Sequence, residues 1–192
     1  MKKLVLSLVA LVAITLGLTG FLPGLPSQFG VQTTVQAKDD TTIKLDVAID
    51  CRTWRNNLGI SFDDMAPGDS FIANGKIFPA RTLLAGDATN DPNARGSIGG
   101  WIQRGTMAAT LAEILAGKRP AFFATWFHLL DDGRGFVADG PHPDSGPMAV
   151  VGGTGGLSGA RGEISEVTII GTNITGCPNM RIIVNLKKDA PK

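Results

Sequence analysis

The chain of 192 residues is 43% hydrophobic and 18% charged, and its 18 basic and 17 acidic side chains leave a formal net charge of +1. So balanced a charge argues against a nucleic-acid or polybasic membrane role, since either needs a basic patch. Two cysteines without a Cys-x-x-Cys spacing argue against a redox or metal-binding pair.

The N-terminus reads as a targeting segment. Met1-Lys2-Lys3 is a short basic head and Leu4 to Leu18 is apolar and uncharged. Pro23, Gly24 and Pro26 break that run, and Val35-Gln36-Ala37 suits a small-residue cleavage site before Lys38. The apolar run falls short of the about 20 residues that span a bilayer. The expectation is a cleaved leader over residues 1–37, export to periplasm or medium, and no stable membrane insertion afterwards. Cleavage removes two basic residues and no acidic one, so the mature charge becomes −1. Residues 38–192 suit a single domain.

Within that domain, Ile43, Leu45, Val47, Ile49 and Cys51 alternate with Lys44, Asp46, Ala48 and Asp50. That period of two predicts a strand over 42–52 with Asp46 and Asp50 on its solvent face. A second short strand is predicted over 58–62, a turn at Ala66-Pro67-Gly68-Asp69, and a third strand over 70–79. Residues 83–96 are polar and rich in glycine, asparagine and proline, which predicts a long loop. A strand over 97–107 carries Trp101. Leu111, Ile114 and Leu115 then recur at helical spacing ahead of Gly117, predicting a short helix over 108–116. The strand over 120–130 is apolar on both faces, with Phe122, Ala124 and Trp126 on one and Phe123 and Phe127 on the other. Such a strand needs cover on two sides, from a core and from a neighbouring subunit or the helix. Strands over 134–139, 148–151, 162–170 and 180–186 complete a set of eight or nine, a spacing that suggests a sandwich or a closed barrel.

Cys51 falls in the first strand and Cys177 just before the last. In an exported chain this even pair predicts a disulfide, two separate buried thiols being the alternative. First and last strands are neighbours when a sheet closes.

The run Val150-Val151-Gly152-Gly153-Thr154-Gly155-Gly156-Leu157-Ser158-Gly159-Ala160-Arg161-Gly162 looks like a nucleotide loop and fails as one. Counted from Gly153, the sixth position of the dinucleotide fingerprint is Ser158, and no Lys-Ser or Lys-Thr follows a glycine there. Ile164 to Ile170 is rich in β-branched residues, so the run joins two strands as a hairpin. The string Val-Val-Gly-Gly-Thr-Gly followed by Ala160-Arg161-Gly162 resembles the signature of the dirigent and allene oxide cyclase superfamily. Gly75-Lys76-Ile77-Phe78 and Gly100-Trp101-Ile102-Gln103-Arg104-Gly105-Thr106 fit the same layout. The resemblance implies an all-β fold, a closed eight-stranded antiparallel barrel with a short helix between two central strands. It also implies an apolar cavity at one end, frequent assembly as a homotrimer, and chemistry by confinement without a redox cofactor. The chain has no tyrosine, and a full set of plant catalytic residues does not align.

Candidate site residues follow from the strands. Arg104 and Arg161 lie among apolar neighbours, and a barrel interior stabilising an anionic intermediate would want a buried guanidinium. Glu163 shares a face with Arg161 as acid-base group or as ion-pair partner. These three are the catalytic candidates. Trp101, Trp126 and His128 are the ligand-binding candidates, the plainer reading of His128 being a locally bonded strand-end histidine. No ligand spacing joins His128, His142, Asp131, Asp132, Asp139 and Asp144, so no metal is expected, and no cofactor. Asn173-Ile174-Thr175 is a glycosylation sequon that matters only in a eukaryotic secretory pathway. The sequence thus points to an exported barrel that binds a small apolar molecule, with a non-redox cyclisation or isomerisation as the reaction it would steer. The alternative is a structural or envelope-associated oligomer whose core is filled by its own side chains.

Overall fold

A computed structural model of the chain describes residues 41–142 and 146–187. The predicted leader over 1–37 and Asp144 lie outside the described residues. Eight strands form one closed antiparallel barrel in sequential order: β1 (Thr41–Asn56), β2 (Ser70–Pro79), β3 (Gly99–Met107), β4 (Phe122–Leu130), β5 (Gly135–Pro141), β6 (Met148–Thr154), β7 (Arg161–Thr172) and β8 (Pro178–Lys187). Every predicted strand but one appears. Residues 58–62 do not pair; they lead into a 3-10 turn over Phe62–Asp64, whose apolar residues pack on the barrel end rather than in the sheet.

The period-two pattern of β1 works as expected: Leu45 and Val47 point inward and pair with Pro79 and Ile77 of β2 and with Ile182 and Met180 of β8. Inward positions carry the core, made of Leu45, Val47, Ile77, Trp101, Trp126, Phe136, Met148, Ile164, Ile182 and Val184 among others. Small inward residues make room for large rings. A side-chain carbon on Gly75 would press on Trp101, and one on Gly105 would collide with the Phe71 ring. The helix α1 (Leu111–Leu115) sits between β3 and β4 and starts with a reciprocal cap. Thr110 accepts from the Glu113 amide, and Glu113 accepts from the Thr110 amide at 2.9 Å. Gly117 then takes a positive φ of 93° to turn the chain out of the helix.

Hairpin β6–β7 is the glycine-punctuated run. Gly155 adopts φ 58°, and a side chain on Gly153 would run into the Leu157 carbonyl. These glycines serve a tight turn against the start of β5.

Asp46 departs from expectation. It lies on the outer face of β1, yet it is 0% exposed. The long loop after β2 folds back over that face, with Leu83 packing on Ala48, Phe78 and Ile169. Asp46 accepts from the Leu83 amide at 3.0 Å and from Arg181 Nε and Nη2 at 2.7 and 3.1 Å. That bidentate pair satisfies a charge that the loop has taken out of water.

Cys51 and Cys177 form the disulfide, 126 residues apart, tying β1 to the turn before β8. Nearby, Asn173 Nδ2 donates to the Ile49 carbonyl at 2.8 Å and to Asn179 Oδ1 at 3.1 Å. The sequon nitrogen is therefore committed inside the fold. Closing so long a loop restricts the unfolded chain by about 4–5 kcal/mol. A Cys51→Ser/Cys177→Ser double variant should lose stability of about that size in urea unfolding; an unchanged midpoint would show that the bridge adds nothing to the seam it spans.

Candidate functional site

The alternation of β3 places Trp101, Gln103, Gly105 and Met107 inward. That of β4 places Ala124, Trp126 and His128 inward. Register brings these two sets together, pairing Trp101 with His128 and Gln103 with Trp126. Across β5, His128 lies opposite Phe136. The result is an interior of rings: Trp101 and Trp126 meet edge to face at 5.4 Å, and His128 stacks on Phe136 at 4.2 Å.

Trp101, Trp126 and His128 are each 0% exposed. None of Trp101 Nε1, Trp126 Nε1 or Gln103 Nε2 has a hydrogen-bond partner within the protein. A buried donor left unmatched costs about 1–3 kcal/mol, a cost that a wholly apolar wall would avoid. His128 stands in the barrel wall, opposite Phe136. Burial pushes its pKa down to about 3 and outweighs a backbone hydrogen bond at Phe136, so the imidazole is neutral.

Two further groups complete the interior, and sequence reasoning passed over them as a pair. Glu166 lies on the inward face of β7, opposite Ile182 and two residues from buried Ile164. His142 follows β5, its amide donating to the Phe122 carbonyl at 2.9 Å. His142 Nε2 approaches Glu166 Oε2 to 3.6 Å, with side chains only 20% and 9% exposed. The His142 ring lies 4.3 Å from Phe122 and 6.2 Å from Trp126. Glu166 shares its parity with Ile164, and only the pairing of β7 with β8 shows that this face is the inward one.

That same parity places Glu163 outside. Glu163 and Arg161 are exposed, and Arg161 donates to the Ala160 carbonyl at 2.9 Å. Arg104 alternates with inward Trp101 and Gln103 and is exposed, its guanidinium 5.6 Å from the Phe127 ring. It borders an open groove of about 750 Å³ on the outer wall, lined also by Arg55, Ile72, Phe123 and Asp139. The interior position expected for Arg104, Arg161 and Glu163 is therefore not the one they occupy. The opposite faces of their strands, which carry the large apolar side chains, face the barrel interior. Among the described residues no three metal-ligating side chains cluster.

Two pterocarpan synthase dirigent proteins share this architecture. PsPTS1 superposes with a TM-score of 0.56 at 12% identity over 81% of this chain and 99% of its own. GePTS1 does so at 0.53 and 12% over 84% and 96%. This is the dirigent and allene oxide cyclase-like barrel fold. A pyocyanin demethylase has the same fold, with a TM-score of 0.50 at 18% identity over 77% of this chain and all of its own. No protein-family model and no curated protein matches the sequence. Identities this low carry the dirigent-like fold alone, so the chemistry has to be read from the inward side chains.

Neutral His128 gives a pH signature. Its folded pKa lies below the unfolded 6.5, so the unfolded chain binds the extra proton. The stability it contributes is complete above pH 6.5 and is lost as pH falls toward about 3, at up to about 1.4 kcal/mol per pH unit. A His128→Gln variant should show a flatter stability profile across that window in urea unfolding; an unchanged slope would mean that His128 is solvated and titrates normally.

Proposed function

We propose that the protein is an exported barrel that binds a small, mainly apolar molecule in its interior. Where it acts on that molecule, the action is a non-redox cyclisation or isomerisation without a cofactor. The observation that carries this reading is the set of unmatched nitrogens of Trp101, Gln103 and Trp126 inside an aromatic wall. Ring walls supply apolar contact, and a few polar groups fix orientation, which is how small-molecule sites are built. The structural neighbours agree in kind: one is a pyocyanin demethylase, the others are pterocarpan synthase dirigent proteins. Export is supported by the Cys51–Cys177 bridge, since disulfides persist in oxidising compartments. Among the described residues no helix is long and apolar enough to cross a membrane.

A homotrimer is part of the proposal. The outer faces of β3, β4 and β6 expose Phe123 (54%), Leu129 and Val151 and carry half-buried Ile102 and Phe127. That strip is apolar where a lone barrel would meet water. A second reading, a structural oligomer with a filled core, is favoured by the complete burial of Trp101, Trp126 and His128.

Native mass spectrometry of the mature protein from its own host separates the two. A trimer carrying a co-purifying apolar compound, released on stripping, is the expected result. A trimer that stays ligand-free after incubation with host lipid extract would sink the binding reading and leave the structural one.

A further inference from the structure

We propose that Glu166 and His142 form a proton-transfer pair within the barrel interior, serving a flat, uncharged carbonyl compound whose oxygen is held by Trp101, Trp126 and Gln103. This rests on the interior-binding reading above and adds to it a substrate class and a reaction.

The pair and the donors are joined by a chain of contacts across the interior. His142 Nε2 stands 3.6 Å from Glu166 Oε2, and the His142 ring reaches Trp126 at 6.2 Å, which in turn meets Trp101 at 5.4 Å. The two indole N–H groups and the Gln103 amide have no acceptor in the protein, so the complementary ligand atom is an oxygen acceptor. That oxygen belongs to a neutral molecule. Among the described residues no lysine or arginine is buried, and His128 is uncharged, so an anionic ligand would be buried without a counter-charge. The rings of Trp101, Trp126, Phe136 and Phe122 favour a flat conjugated body over a branched aliphatic one.

The chemistry follows from the roles. The Glu166 carboxylate takes a proton from the carbon beside the carbonyl. The electron pair of the broken C–H bond moves into the carbonyl, giving an enolate. Its oxygen, more strongly basic than the ketone, gains more from the indole and amide donors than the ground state does. The proton then returns from Glu166 to another carbon of the conjugated system. The net change is an isomerisation, with no electron gained or lost and no co-reactant. His142 is a positioning residue, holding the carboxylate toward the interior.

The probe is 2-tetralone, a flat bicyclic ketone with acidic hydrogens between ring and carbonyl. Exchange of those hydrogens in D₂O is followed by NMR, and binding by quenching of indole fluorescence. The intact mature protein should speed exchange by at least about a hundredfold over buffer. Glu166→Gln should fall back to the buffer rate with probe binding unchanged, and Glu166→Asp should keep part of the rate. His142→Gln should slow exchange without weakening binding, which a merely structural role would not do. Trp126→Phe should weaken binding by about tenfold, the loss of one hydrogen bond. Quenching without exchange, or exchange indifferent to Glu166→Gln, overturns the proton-transfer assignment and leaves interior binding intact. Absence of quenching overturns the carbonyl class, and the native mass spectrum then decides the binding reading independently.

Discussion

A sheet of eight strands keeps two open edges until its first strand meets its last, and here β1 and β8 meet from Thr41–Leu186 to Ala48–Asn179. The rest of the molecule depends on that seam. Closure removes both edges and fixes the volume that inward side chains share. Several kinds of bond reinforce it. Inside, Leu45 faces Ile182 and Val47 faces Met180. Outside, Asp46 and Arg181 are direct cross-strand partners, and their ion pair also anchors the long loop through the Leu83 amide. Beyond the end of that pairing, Asn173 ties the Ile49 carbonyl, and the disulfide ties Cys51. Hydrophobic, ionic and covalent links thus act along one line.

Across the barrel from the seam, β3, β4 and β5 contribute side chains that a merely stable core would not choose. Leucine or phenylalanine at the positions of Trp101, Gln103, Trp126 and His128 would fill similar volume with no polar atom to satisfy. Polar interior groups also give the barrel a pH liability through His128 that a hydrocarbon core would lack. Places where a chain departs from local consistency are where function is to be sought. The division of labour is spatial: strength concentrates at β8–β1, polarity at β3–β5 with Glu166 facing it from β7.

Much of the fold was legible in the sequence because strand alternation and turn residues are local signals. The limits of β2 were read without error, and the helix announced itself through Leu111, Ile114 and Leu115 before Gly117. The hairpin at Gly152–Gly159 was legible because a fingerprint that fails its spacing still marks a turn. The site was only half legible. Trp101, Trp126 and His128 carry large rings with one parity, and rings belong inside. Chemistry alone makes Arg104, Arg161 and Glu163 interior candidates, since both faces of several strands are apolar, whereas the observed parity puts them outside. On β7 both faces mix apolar and charged residues, so Glu163 and Glu166 are indistinguishable until pairing with Val184 and Ile182 selects the face. Asp46 was illegible for another reason: its burial comes from a loop that begins more than thirty residues later, and no local pattern reports where a loop lands.

Closed barrels of this kind tolerate wide change, as identities of 12% to 18% to proteins of the same fold show. What they require is the period of two, closure, and an interior whose volumes add up. Within those limits an inward position is free to be hydrocarbon or polar, and the choice separates an inert barrel from a working one. Here the choice falls at a few residues. Trp101, Gln103 and Trp126 point donors inward, and Glu166 with His142 brings the interior carboxylate and its imidazole to the same space. Donors for a developing negative oxygen and a base for a carbon acid are complementary halves of one proton transfer, and neither half explains the other as packing. That complementarity, more than the likeness of the fold, is what supports the proposal that this barrel acts on a ligand rather than merely enclosing its own side chains.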